Sequence, residues 1–138
     1  MPKLDSLHHA VRNALIKDGW EITHDPFTIE YMGTRVYADL GAEKPLAACK
    51  GNNQIVVEIK VFSSPSLITE LQKTLGQYGV YRSFLRRVDP KRMLYLAIPI
   101  AIYNDFFQRP ATQIIVEDHA LKLLVFDPNS EEIVQWIE

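Results

Sequence analysis

The stretch "YADLGAEKPLAACKGNNQIVVEIKVF", residues 37–62, decides how the chain is read. Its second half, Q-I-V-V-E-I-K-V-F (54–62), is apolar and β-branched, follows the turn signal Lys50-Gly51-Asn52-Asn53, and reads as the strongest strand in the protein. Charged groups interrupt it at Glu58 and Lys60, and Asp39 follows the apolar run V-Y-A. Side chains alternate faces along a strand, so Glu58 and Lys60 share one face while Val57, Ile59 and Val61 share the other. If residues 36–40 form the neighbouring strand, Asp39 lies beside Glu58. Charges on a core-type strand cost stability unless they are paired or hold a metal.

Downstream, Ser63-Ser64-Pro65-Ser66 opens a long helix to about Arg87, with Ser66 as N-cap and Glu70 near its first turn. R-M-L-Y-L-A-I-P (92–99) then reads as a buried strand. A strand, long helix, strand crossover from 54 to 98 implies a parallel pair. A short helix over about 100–108 follows, and another starts after Pro110. L-K-L-L-V-F-D-P (121–128) and E-I-V-Q-W-I (132–137) pair as a closing hairpin across Asn129-Ser130.

Upstream, residues 5–18 read as a helix, with Leu7, Val11, Ala14 and Leu15 at helical spacing and Gly19 as its stop. W-E-I-T-H-D-P-F-T-I-E-Y (20–31) is extended, with a tight turn near Met32-Gly33-Thr34 and R-V-Y-A-D-L (35–40) as the returning arm. The expected architecture is one α/β domain over residues 1–138. A mixed β-sheet is flanked by helices on both faces, with a helix-strand-strand-strand-helix-strand core.

The chain has 138 residues, 47% apolar and 23% charged, enough for one globular core. No repeat, linker or low-complexity segment is present. The single cysteine, Cys49, excludes an internal disulfide and suggests a reducing compartment. The N-terminus lacks the apolar region of a signal peptide. The longest apolar run, residues 94–103, falls short of the roughly 20 residues a membrane helix needs. A soluble cytoplasmic protein is expected. A net charge of −2 argues against coating nucleic acid by bulk charge. Arg82, Arg86, Arg87, Lys91 and Arg92 nevertheless cluster, either as a solvated helix end or as a local contact to DNA.

Two carboxylates, Asp39 and Glu58, with the backbone carbonyl of Ile59, make an all-oxygen set that suits Mg²⁺ or Mn²⁺. Without a cation, adjacent carboxylates repel and one has a raised pKa. Lys60 beside them can orient water and stabilise charge building on a phosphoryl oxygen. These parts suit metal-dependent hydrolysis of a phosphodiester. The plainer reading of E-x-K is a surface ion pair worth about 0–1 kcal/mol. Asp39 and the apolar context favour the site. In the long helix, Gln77 and Tyr81 are i,i+4 and share a face. They stand on the shoulder of the stripe Leu67, Leu71, Leu75, Tyr78 and Leu85, placed either to face the metal site or for ordinary packing.

Asp39, Glu58-x-Lys60 and Gln77-xxx-Tyr81 on this frame resemble the PD-(D/E)xK nuclease superfamily, and the Q-xxx-Y element its RecB-like branch. The segments "HHAVRNALIKDGWEITHDPFTIEY", "YADLGAEK", "VVEIK", "LGQYGVYR", "LYLAIP" and "VFDP…EEIVQWIE" together resemble the XisH family, the fdxN element excision controlling factors, over essentially the whole chain. The resemblance implies a restriction-endonuclease-like fold. It also implies a part in programmed excision of a DNA element in cyanobacteria, alongside a companion called XisI.

Carried over by position, Asp39 and Glu58 become metal ligands, Lys60 the catalytic lysine, and Gln77 and Tyr81 the supporting pair. The first helix often presents a further ligand in this superfamily; here His8 or His9 stands there, with His8 favoured. Glu43, in D-L-G-A-E, is another candidate. Three departures stand out: Ala38 replaces the proline before the first Asp, Cys49 replaces an expected Glu, and Val61 replaces a Ser. The implied activity is a Mg²⁺- or Mn²⁺-dependent DNA endonuclease, with a homodimer as an expected arrangement because duplex cutters often work as two-fold pairs. The alternatives are a non-catalytic factor that binds DNA or docks on protein to direct a separate recombinase, and a plain interaction module.

Overall fold

The computed structural model describes residues 4–45 and 52–138; Cys49 and the Lys50-Gly51 part of the expected turn lie outside them. The elements are α1 (Leu4–Lys17), β1 (Glu21–His24), β2 (Phe27–Tyr31), β3 (Thr34–Ala38), β4 (Leu40–Pro45), β5 (Asn52–Ile59), α2 (Leu67–Val88), β6 (Met93–Pro99), α3 (Ile100–Asn104), a 3₁₀ turn at Phe106–Gln108, α4 (Pro110–Asp118), β7 (Leu123–Asp127) and β8 (Glu132–Ile137).

Six strands form one mixed sheet in the order β1-β4-β5-β6-β7-β8, and β2-β3 form a separate hairpin. The β5–β6 and β6–β7 pairs are parallel, whereas β1–β4, β4–β5 and β7–β8 are antiparallel. The expected mixed sheet, the parallel crossover through a long helix and the closing hairpin are all present. No helix among the described residues is long and apolar enough to cross a membrane.

The alternation of β5 sorts the core into two clusters. Ile55 and Val57 join Leu7, Val11 and Leu15 of α1, while Val56 joins Leu71, Tyr78, Tyr81 and Leu85 of α2. Helix α1 therefore covers one face. Helix α2, the short helices and the β2–β3 hairpin cover the other. Leu15 and Val11 are fully enclosed, each worth roughly 1.5–3 kcal/mol relative to exposure. Helix α2 begins where the Ser66 side chain accepts the Thr69 N–H, as expected of an N-cap, and ends before Asp89-Pro90.

The N-terminal half departs from the expected three strands. The extended segment 20–31 breaks at Asp25-Pro26, so β1 stays in the large sheet while β2 leaves it for the hairpin. A further strand, β4, follows Asp39. Its sequence, L-G-A-E-K-P, lacks β-branched residues, and pairing with β5 is what makes it a strand. Gly41 is needed there: a Cβ at this position would come within 2.6 Å of the Phe27 ring, so only glycine lets the hairpin lie this close to the sheet. The hairpin turn has positive φ at both Met32 and Gly33, as a two-residue turn matched to strand twist demands.

Candidate active site

The β4–β5 register sets Leu40 opposite Val57. One step further along that register, Asp39 faces Glu58. Asp39 sits at the crossing from hairpin to sheet, where its Oδ2 accepts the Ile59 N–H at 2.7 Å. A side-chain oxygen thus continues the ladder past the end of β4 and fixes the carboxylate against β5. Glu58 is 8% exposed. Lys60, two residues on and on the same face, brings Nζ to 3.6 Å from Glu58 Oε2. The sequence-predicted trio therefore converges.

Electrostatics follows from that crowding. Burial pushes the Glu58 carboxyl up to about 8, the neighbouring charge of Asp39 adds to the rise, and the Lys60 ammonium opposes it. A hydrogen bond between the two carboxyls raises it further. The crowding favours the protonated form of Glu58.

A cavity of about 220 Å³ opens over these groups, lined by His8, Asp39, Glu58, Ile59, Lys60, Val61 and Glu70. His8 reaches it from α1, whereas His9 is exposed. The His8 ring has Nε2 at 2.8 Å from Asp25 Oδ1 and Nδ1 at 3.9 Å from Asp39 Oδ1. Glu70 enters from the first turn of α2, with Oε2 accepting the Ser64 N–H at 3.3 Å. Sequence reasoning placed Glu70 near the start of the helix and gave it no part in the site. An acidic side chain one turn into the helix that follows E-x-K was the available signal.

Beyond Lys60, Phe62 adopts a φ of +52°, a costly conformation for a residue with a Cβ. Its buried ring packs 5.9 Å from Phe106 and 5.3 Å from Phe107, centroid to centroid. That burial offsets the strain.

The other candidates separate. Tyr81 is buried and donates from its hydroxyl to the Tyr37 carbonyl at 2.9 Å, two residues before Asp39. Burial, then the charges of Glu58 and Asp39, push its phenol up to about 12. Gln77 is exposed on α2, one turn earlier. Glu43 lies near the far end of β4, accepting from Gln54 at 3.0 Å and standing 3.7 Å from Arg92. It points into a structural ion-pair cluster, away from the cavity.

The basic run is also displaced. Arg82 lies twelve positions beyond Glu70 on α2, about 18 Å along the axis. It donates to the His119 carbonyl and covers the Tyr78 ring. Arg92 has a side chain only 6% exposed, paired with Asp89 and stacked on Phe27. Arg86, Arg87 and Lys91 are exposed near the same end of α2. The run therefore does not surround the carboxylates, and two of its members serve packing.

Among the described residues, no group of three or more His, Cys, Asp and Glu side chains is arranged to enclose a metal by itself. What the cavity offers is a carboxylate pair, with Glu58 buried and Asp39 partly exposed. This donor set fits Mg²⁺ or Mn²⁺, which keep several waters and need few protein ligands.

No curated protein matches the chain. Solved structures do match it, the following two among them. An XisH family protein from Nostoc punctiforme PCC 73102 is 39% identical, with a TM-score of 0.89 over 97% of this chain and 100% of that one. An fdxN element excision controlling factor protein from Anabaena variabilis is 41% identical, with a TM-score of 0.88 over 97% and 99% of the two chains. The XisH protein family matches residues 1–134. With agreement over this length and at this identity, the chain belongs to the XisH family.

Proposed function

We propose that this protein is a divalent-metal-dependent DNA endonuclease with a restriction-endonuclease-like fold of the PD-(D/E)xK kind. It acts in programmed excision of a DNA element, as the name of its Anabaena variabilis relative suggests. An XisI-like companion restrains or directs it, and a homodimer would supply one site per strand. The observation that carries this reading is the meeting of Asp39, Glu58 and Lys60 in one cavity.

Asp39 and Glu58 would hold the Mg²⁺ or Mn²⁺, with the Ile59 carbonyl as a candidate further oxygen donor. When bound, the ion supplies Lewis-acid polarisation of the phosphodiester and activation of water. A divalent ion there would offset the repulsion between the Asp39 and Glu58 carboxylates. The Lys60 ammonium, held near Glu58 Oε2, stands where it can stabilise charge growing on a phosphoryl oxygen. Tyr81 anchors the Tyr37 carbonyl and so steadies the backbone that presents Asp39.

The test is incubation with supercoiled plasmid and with single-stranded DNA, in Mg²⁺ or Mn²⁺ and in EDTA, for the wild type and Lys60→Ala. Metal-dependent cutting that disappears in the variant supports the nuclease. Retarded DNA mobility without cutting, equal in both proteins, replaces it with a non-catalytic factor directing a separate recombinase.

A further inference from the structure

We infer that Asp25 is a positioning residue for this site, acting through His8. The inference rests on reading the cavity as a divalent-cation site. Asp25 occupies the bend between β1 and β2, seventeen residues from His8, and no motif marks it. Its two oxygens are both engaged. Oδ1 lies 2.8 Å from His8 Nε2, and Oδ2 accepts from Arg12 at 2.8 Å. Arg12 stands one turn after His8 on α1, so the guanidinium holds the carboxylate while the carboxylate holds the ring.

This contact selects a tautomer. In the neutral ring, a proton on Nε2 donates to Asp25. A proton on Nδ1 would instead leave the Nε2 lone pair against a carboxylate oxygen at hydrogen-bond distance. Asp25 thus directs a bare Nδ1 into the cavity. Nδ1 stands 3.9 Å from Asp39 Oδ1, beyond direct hydrogen-bond range. Two acceptors face one another across that gap, and only a cation or a proton donor can satisfy both. Carboxylates that fix a ligating imidazole in this way change metal affinity by about 10–100-fold when removed. Glu70 also lines this space, and Lys60 is the one lysine or arginine lining the cavity among the described residues.

The test uses the full chain as wild type, Asp25→Ala, Asp25→Asn, His8→Ala and the double variant His8→Ala/Asp25→Ala, with thermal melts to confirm folding. Two readouts are taken: the His8 tautomer by ¹⁵N NMR of the neutral ring, and Mn²⁺ affinity by titration. The wild type should show the Nε2–H tautomer, and Asp25→Ala a mixture. Mn²⁺ binding should weaken by about 10–100-fold in Asp25→Ala, less in Asp25→Asn, whose one oxygen can still accept from His8. In the His8→Ala background, removal of Asp25 should cost nothing more, because a residue acting through His8 has no route left. An unchanged tautomer in both Asp25 variants overturns the proposal, as does a full additional loss in the double variant. A wild type that binds no Mn²⁺ defeats the nuclease reading instead, and the tautomer comparison alone then decides the role of Asp25.

Discussion

Replacing Glu58 by Gln isolates the electrostatic strain at the centre of the site. The folded protein holds the Glu58 carboxyl near 8, against an ordinary value of 4.5. Between those pH values the folded state binds more protons than the unfolded state, so stability falls as pH rises. At pH 7 the unfolded chain gains from ionisation over about 2.5 pH units while the folded one gains almost nothing, a penalty on the order of 3 kcal/mol. At pH 5 the same reasoning leaves about 1 kcal/mol. Gln has the shape and hydrogen-bonding capacity of a protonated Glu, so it can still donate toward Asp39 while carrying no charge to desolvate. Urea unfolding in EDTA should therefore show Glu58→Gln more stable than the wild type, with the gap widening from pH 5 to pH 7. Added Mn²⁺ should narrow the gap by stabilising the wild type alone. A variant no more stable than the wild type at pH 7, or a gap independent of pH, refutes the account of a crowded carboxylate pair.

Further outcomes follow from individual contacts. Phe62→Ala should cost about 3–5 kcal/mol in urea unfolding, because it empties the space beside Phe106 and Phe107 without relieving the positive φ. Tyr81→Phe keeps the ring but orphans the Tyr37 carbonyl, and should cost about 1–3 kcal/mol by the same measurement. Arg92→Ala should destabilise by about 1–3 kcal/mol, since it removes a buried side chain packed on Phe27 and its hydrogen bonds to Asp89 and the Ile55 carbonyl. Arg86→Ala, at an exposed position, should stay within about 0.5 kcal/mol of the wild type.

Much of this molecule is written in local pattern. The β-branched run before Glu58 has few alternatives to a buried strand, and the E-x-K spacing puts Glu58 and Lys60 on one face by the two-residue repeat alone. The stripe Leu71, Tyr78 and Leu85, the Ser66 cap and the Asp89-Pro90 stop mark α2 almost to the residue. These features depend on periods and caps that span a few residues, which is why they are legible without coordinates.

Strand β4 was not legible, because L-G-A-E-K-P has no strand propensity of its own and owes its conformation to hydrogen bonds from β5. Nor was the role of the Asp25 bend, which depends on α1 packing close enough for His8 and Arg12 to reach it. Glu70 enters the cavity, Glu43 leaves it and the arginine run lies far along α2, all because helix direction and strand register convert sequence separation into distance. Sequence alone thus determined which segments are strands or helices wherever short-range pattern is strong, and it named the carboxylate pair with its lysine. Tertiary structure decided which other charged groups share their space, because that depends on how separate elements cross.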